Sequence, residues 1–149
     1  MLLGDVFSQR SIKLNLEGKT KEAAFTELLE LIMVDHPEYD RNELYEAINS
    51  RENKMSTGIG SGIAVPHGYC RSISAITGAI GISKAGIDYN SLDHKPVHLM
   101  FMLVMGEASQ ESHLRILNEV FTLVNSEASA LMMTAKNIQE VYAMLSRIH

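Results

Sequence analysis

The chain has 149 residues, of which 46% are apolar and 21% charged, which suits one globular domain over residues 1–149 and excludes intrinsic disorder. Thirteen Lys and Arg against 18 Asp and Glu give a formal charge of −5, and without a basic cluster nucleic acid is excluded as the main ligand. The lone cysteine, Cys70, permits no internal disulfide, MLLGDVFSQR lacks a signal-peptide pattern, and no apolar run approaches the roughly 20 residues that cross a bilayer, so a soluble, cytoplasmic domain without membrane insertion is expected.

Thr20 is a good N-cap, and Ala24, Leu28, Leu31 and Ile32 follow at helical spacing until His36-Pro37 stops the run. A second helix starts at Asp40, with Glu43 in capping-box position and Leu44, Ala47 and Ile48 as its buried stripe. Arg51 continues that stripe at the inner edge of the last turn. Three glycines in five positions, Gly58, Gly60 and Gly62, then predict a loop of wide backbone freedom. Ile63-Ala64-Val65 reads as a short strand ended by Pro66, which places His67 on a loop leaving the sheet. Ala75 to Ile82 reads as a strand, Ile87-Asp88 as a short edge piece, and Val97 to Met105 as a central strand covered on both faces. A polar loop, Gly106 to Ser112, follows. Ser112 is a good N-cap, so His113 is expected to open the next helix, whose stripe is Leu114, Leu117, Phe121 and Val124. Ala128 to Met133 is a short helix, and Asn137 caps a last one. The pattern predicts an α/β fold with a mixed, roughly five-stranded sheet flanked by helices on both faces.

The informative segment is Ser56-Thr-Gly-Ile-Gly-Ser-Gly-Ile-Ala-Val-Pro-His-Gly68. Pro66 stiffens the approach to His67, and Gly68 gives the chain room to turn and leaves space beside the imidazole. The glycine loop can aim backbone N–H groups at an anion. Arg51 projects from the preceding helix end, and His113 at a helix N-terminus adds donors where the macrodipole favours negative charge. Together these describe an oxyanion site beside a nucleophilic imidazole, the arrangement that phosphoryl transfer through phosphohistidine requires. In this reading His67 is the nucleophile, Arg51 offsets the phosphoryl charge, and His113, kept neutral by the helix N-terminus, supplies an N–H donor. Thr57, Gly58, Ile59, Gly60 and Gly68 shape the loop around the group. No cofactor and no metal is required.

TGIGSGIAVPHG resembles the signature of the enzyme IIA components of the bacterial phosphotransferase system, in the fructose, mannitol and nitrogen-regulatory class. The resemblance covers nearly the whole chain, including Ser50-Arg51-Glu52, the strand Pro96 to Met105 and the Ser112-His113-Leu114 helix start. It implies a mixed five-stranded sheet with flanking helices. It also implies that His67 accepts a phosphoryl group from an HPr-type phosphocarrier and passes it to a cysteine of an enzyme IIB domain, or that the phosphorylation state controls a regulated partner protein. The second active-site histidine maps to His113 and the arginine to Arg51. Ser61, Val65, Tyr69-Cys70-Arg71 and the proline-free loop Gly106 to Glu111 depart from the commonest pattern and leave the choice of partner open.

Other chemistry is weaker. Cys70 three residues after His67 makes only two ligands, too few for a zinc site, and reads as an inert small residue. His94 and His98 would stand about 13 Å apart on a strand. Gly58-x-Gly60 is followed by Ile63 where a dinucleotide-binding loop needs glycine. Asp93 and Glu107 are candidates for the site border with no spacing argument behind them.

Overall fold

The computed structural model describes residues 3–106 and 110–146. In chain order these form α1 (Leu3–Val6), β1 (Ile12–Lys13), α2 (Lys21–Asp35), α3 (Arg41–Lys54), β2 (Gly58–Gly60), β3 (Ile63–Ala64), β4 (His67–Tyr69), β5 (Ile76–Ile87), β6 (Val97–Met105), α4 (Gln110–Val124), α5 (Glu127–Met133) and α6 (Ile138–Leu145).

The sheet is built around β6. Its side chains alternate between two apolar layers: Leu99, Phe101, Leu103 and Met105 enter one, and Met100, Met102 and Val104 the other. A strand buried on both faces needs no polar face, hence a run that is apolar except for the half-buried His98. The long β5 lies antiparallel beside β6, and β1 lies parallel on the far side of β5. Both β3 and β4 run parallel along the other side of β6, with Ile63 opposite Leu99 and His67 opposite Leu103. Antiparallel β2 closes that edge. The order β1-β5-β6-β3-β2, with β4 also on β6, gives the expected mixed sheet. The helices divide between its faces: α2 and α3 pack on the layer with Met100 and Met102, and α1, α4, α5 and α6 on the layer with Phe101 and Leu103.

The caps fall where local chemistry puts them. Thr20 accepts from the Ala23 N–H, Asp40 from those of Asn42 and Glu43, and Asn137 from that of Glu140. Asp40→Ala should therefore cost about 1 kcal/mol in urea unfolding, with an unchanged m-value.

Other features depart from the sequence reading. The Ile87 edge piece is the end of β5, which runs unbroken from Ile76. The glycine loop is a β-hairpin. Gly60 pairs with Ile63 across Ser61 and Gly62, both at positive φ (58° and 80°), the geometry of a tight two-residue turn. His67 is not on a departing loop: Pro66 interrupts the strand for two residues only, its carbonyl accepts from the Leu103 N–H at 2.9 Å, and pairing resumes as β4. Helix α4 already includes Gln110 to Ser112, so Ser112 is not its N-cap and His113 is its fourth described residue. Gln and Glu are good helix formers, and local sequence does not separate a polar loop from a polar first turn. Glu107 lies outside the described residues.

Candidate functional site

His67 is half-buried and borders an open cavity of about 470 Å³. Helix α3 supplies Glu46, Ala47, Ser50, Arg51 and Lys54, β4 supplies His67 and Tyr69, and β6 supplies Met105. The ring is oriented by its own chain. Nδ1 lies 2.8 Å from the Val65 carbonyl oxygen, which can only accept, so Nδ1 carries the proton in the neutral ring. Nε2 keeps the lone pair.

Burial is the main force on the ring's proton affinity and pushes it down. The Val65 carbonyl opposes that, Arg51 pushes it further down, Glu52 pulls it up, and the net pKa lies below that of an ordinary imidazole. The ring is therefore neutral at pH 7. Because the folded state binds this proton less readily than the unfolded chain, stability tied to His67 is intact above about pH 6.5 and is lost as pH falls through and below that value.

Arg51 and His67 share the cavity, as the helix stripe suggested. One guanidinium nitrogen, Nη1, is committed to the Met55 carbonyl at 3.0 Å. Gly68 is not a turn residue. It lies inside β4, and a Cβ there would stand 2.5 Å from the Ala47 carbonyl carbon and 2.7 Å from the Ile48 nitrogen. Its missing side chain lets α3, and Arg51 with it, approach the strand that carries His67.

His113 stands one ring further along. Its imidazole packs edge-on against Tyr69, with centroids 5.5 Å apart, and its Nε2 donates to the Gly106 carbonyl at 2.9 Å. The only N–H of the neutral ring is thus already used. His113 can donate to a phosphoryl oxygen only from Nδ1, after taking a second proton.

Thr57 to Gly60 do not border the cavity. The Thr57 N–H goes to Glu52, the Gly58 N–H goes to the Ser56 hydroxyl, and the hairpin turn lies beyond Ile63, about 13 Å along the sheet from His67. Asp93 is near Gly60, at that same remote end.

Two features escaped the sequence reading. Tyr69, 48% exposed, lines the cavity with His67 and packs against His113. Glu52 is buried at 4% exposure and accepts from the Thr57 N–H (2.9 Å), the Thr57 hydroxyl, the Tyr89 hydroxyl (2.9 Å) and the Lys21 ammonium (3.0 Å). Burial pushes its pKa up, but the Thr57 and Lys21 contacts outweigh burial and hold it below the usual carboxylate range. A signal existed: Glu52 continues the buried Leu44, Ile48 series at a four-residue step, and a carboxylate there needs partners. Cys70 is buried, and its thiol faces Glu43 at 3.2 Å. Among the described residues, no three His, Cys, Asp or Glu side chains converge as a metal site, and no helix is long and apolar enough to cross a membrane.

The site thus joins an oriented, neutral imidazole and an arginine on one open cavity of a mixed α/β fold. Residues 5–148 match the family described as phosphoenolpyruvate-dependent sugar phosphotransferase system, EIIA 2, and the chain belongs to that family. It is 39% identical over 127 residues to the fructose-specific EIIABC component of Bacillus subtilis, covering 85% of this chain but only 20% of that protein. With the fructose-specific EIIA component of Haloferax volcanii it shares 33% identity over 138 residues, 92% of this chain and 90% of the relative. The crystal structure of nitrogen regulatory protein IIA-Ntr from Neisseria meningitidis superposes with a TM-score of 0.89 at 28% identity, covering 97% of this chain and 99% of that one.

Proposed function

We propose that this chain is a phosphoryl carrier that takes the group on Nε2 of His67 from an HPr-type phosphocarrier and passes it to a cysteine of an enzyme IIB domain. The observation that carries the reading is the 2.8 Å bond from Nδ1 to the Val65 carbonyl, which presents the opposite nitrogen as the base. In the transfer, the Nε2 lone pair forms a bond to phosphorus while the bond from phosphorus to the donor histidine breaks, returning that electron pair to the donor ring. With a proton on its other nitrogen the donor ring leaves as neutral imidazole, so the charge passes to the His67 ring and no proton has to move. The phosphorylated ring of His67 carries delocalised positive charge, which the Val65 carbonyl stabilises through Nδ1–H. Arg51 contributes permanent charge toward the phosphoryl oxygens. Lys54 and Tyr69, at the cavity rim, suit contact with the approaching protein.

Incubation with phosphoenolpyruvate, enzyme I and HPr, followed by intact-mass analysis, should show one added phosphoryl group. A wild-type chain that stays unmodified with either HPr or a paralogous carrier would end the reading. The acceptance rate should hold level from pH 8 to below about pH 6.5, because the neutral ring persists there, and fall only in more acid solution. Arg51→Gln removes a cation that resists protonation of His67, so the acid limb should move to higher pH, readable by NMR titration of the ring.

The likeness to IIA-Ntr favours a second reading, in which phosphorylation of His67 controls binding of a regulated partner rather than onward transfer. Timed transfer of labelled phosphate to a IIB domain separates the two. Rapid loss of label supports transport, and stable label with phosphorylation-dependent capture of a partner supports regulation.

A further inference from the structure

Resting on that reading, we propose that Glu52 is a positioning residue, whose carboxylate anchors the backbone segment that holds both His67 and Arg51 in register. The contacts form a continuous path. His67 Nδ1–H donates to the Val65 carbonyl (2.8 Å), the Val65 N–H donates to the Thr57 carbonyl (3.0 Å), and the Thr57 N–H donates to Glu52 Oε2 (2.9 Å). From the other side, Arg51 Nη1 donates to the carbonyl of Met55, two residues before Thr57. The segment Met55 to Thr57 is therefore tied to the phosphate-facing cation at one end and to the nucleophile's support at the other.

Glu52 is itself held. Lys21 reaches it at 3.0 Å and lies 4.5 Å from the centroid of the Tyr89 ring, while the Tyr89 hydroxyl donates to its Oε1. Lys21 is the first residue of α2, where the helix dipole disfavours a cation, so its pairing with Glu52 is made against a local cost. A buried ion pair is weak evidence for added stability, since apolar packing of the same volume does as well or better. Specificity of geometry is what such a pair supplies here. The carboxylate is buried under Thr57 and Tyr89, so it cannot touch a docked carrier protein.

Glu52→Gln tests the assignment. The amide cannot accept from Lys21, Thr57 and Tyr89 together, and it places a donor against at least one of them. Nitrogen-15 spectra of the wild-type His67 ring should show one tautomer, with the proton on Nδ1. In the variant the pattern should move toward a tautomer mixture. Turnover for phosphoryl acceptance should fall about tenfold or more, while KM for HPr stays within about twofold. Glu52→Asp, which keeps the charge for Lys21 and withdraws the oxygen from Thr57, gives the same two readouts if the glutamine variant does not fold. A folded variant with the wild-type ring spectrum and turnover overturns the proposal. A variant whose KM rises with turnover unchanged overturns it as well. Failure of the wild type to become labelled strikes instead at the carrier reading.

Discussion

His67→Asn is expected to abolish phosphorylation of the chain and to leave its fold in place. The asparagine amide nitrogen sits where Nδ1 does and can donate to the Val65 carbonyl, so no buried acceptor is stranded, and the half-buried ring borders an open cavity rather than the core. Stability should change by no more than about 1 kcal/mol. An amide nitrogen has no available lone pair, so it forms no bond to phosphorus, and mass analysis after incubation with the donor system should find no gain. His113→Gln should behave differently. His113 contacts Gly106 and Tyr69, and its neutral ring has no free N–H, so the variant should still be labelled, only more slowly. Equal labelling of the His67 variant and the wild type would place the acceptor elsewhere.

Gly68→Ala should damage stability and transfer together. The added methyl would stand 2.5 to 2.7 Å from backbone atoms of Ala47 and Ile48, and backbone cannot rotate aside as a side chain can. Helix α3 has to shift, at a cost of about 1–3 kcal/mol. Arg51 rides on that helix, and a misplacement of about 1 Å at a reacting site costs up to about 10²-fold in rate. Gly78→Ala is the control. Its methyl would meet the Met102 carbonyl oxygen and the Phe7 ring, away from the cavity, so it should lower stability while the remaining folded protein accepts phosphate normally. Denaturant midpoints and single-turnover labelling of both variants separate the effects. Similar transfer rates in the two folded variants would remove Gly68 from the positioning of Arg51.

Local patterns carried much of the architecture. The run Val97 to Met105, apolar except for His98, matches β6 at both ends, because a strand covered on both faces is apolar almost throughout. The caps at Thr20, Asp40 and Asn137 were legible because each acts within three residues of itself. Arg51 was placed at the inner edge of its helix by the 3.6-residue period, and it borders the same cavity as His67. Where the reading stopped short, the deciding contact was distant in sequence. Gly58, Gly60 and Gly62 read as a loop, but pairing with Ile63 and Ala64 makes Gly58–Gly60 a strand and takes their backbone away from a ligand. Pairing with Leu103, 36 residues on, turns the presumed loop at His67 into β4.

By itself the sequence placed Arg51 on the inner stripe of its helix and His67 just after a proline-ended strand, since both follow from signals that operate over a few residues. The tertiary structure alone decided which nitrogen of His67 is free, that Gly68 serves the approach of a helix, and that Glu52 is clamped by Tyr89 from 37 residues away. Those outcomes depend on directions and separations of a few ångströms between segments far apart in the chain. No period of apolar residues encodes them, and they arise only when the layers close over the sheet.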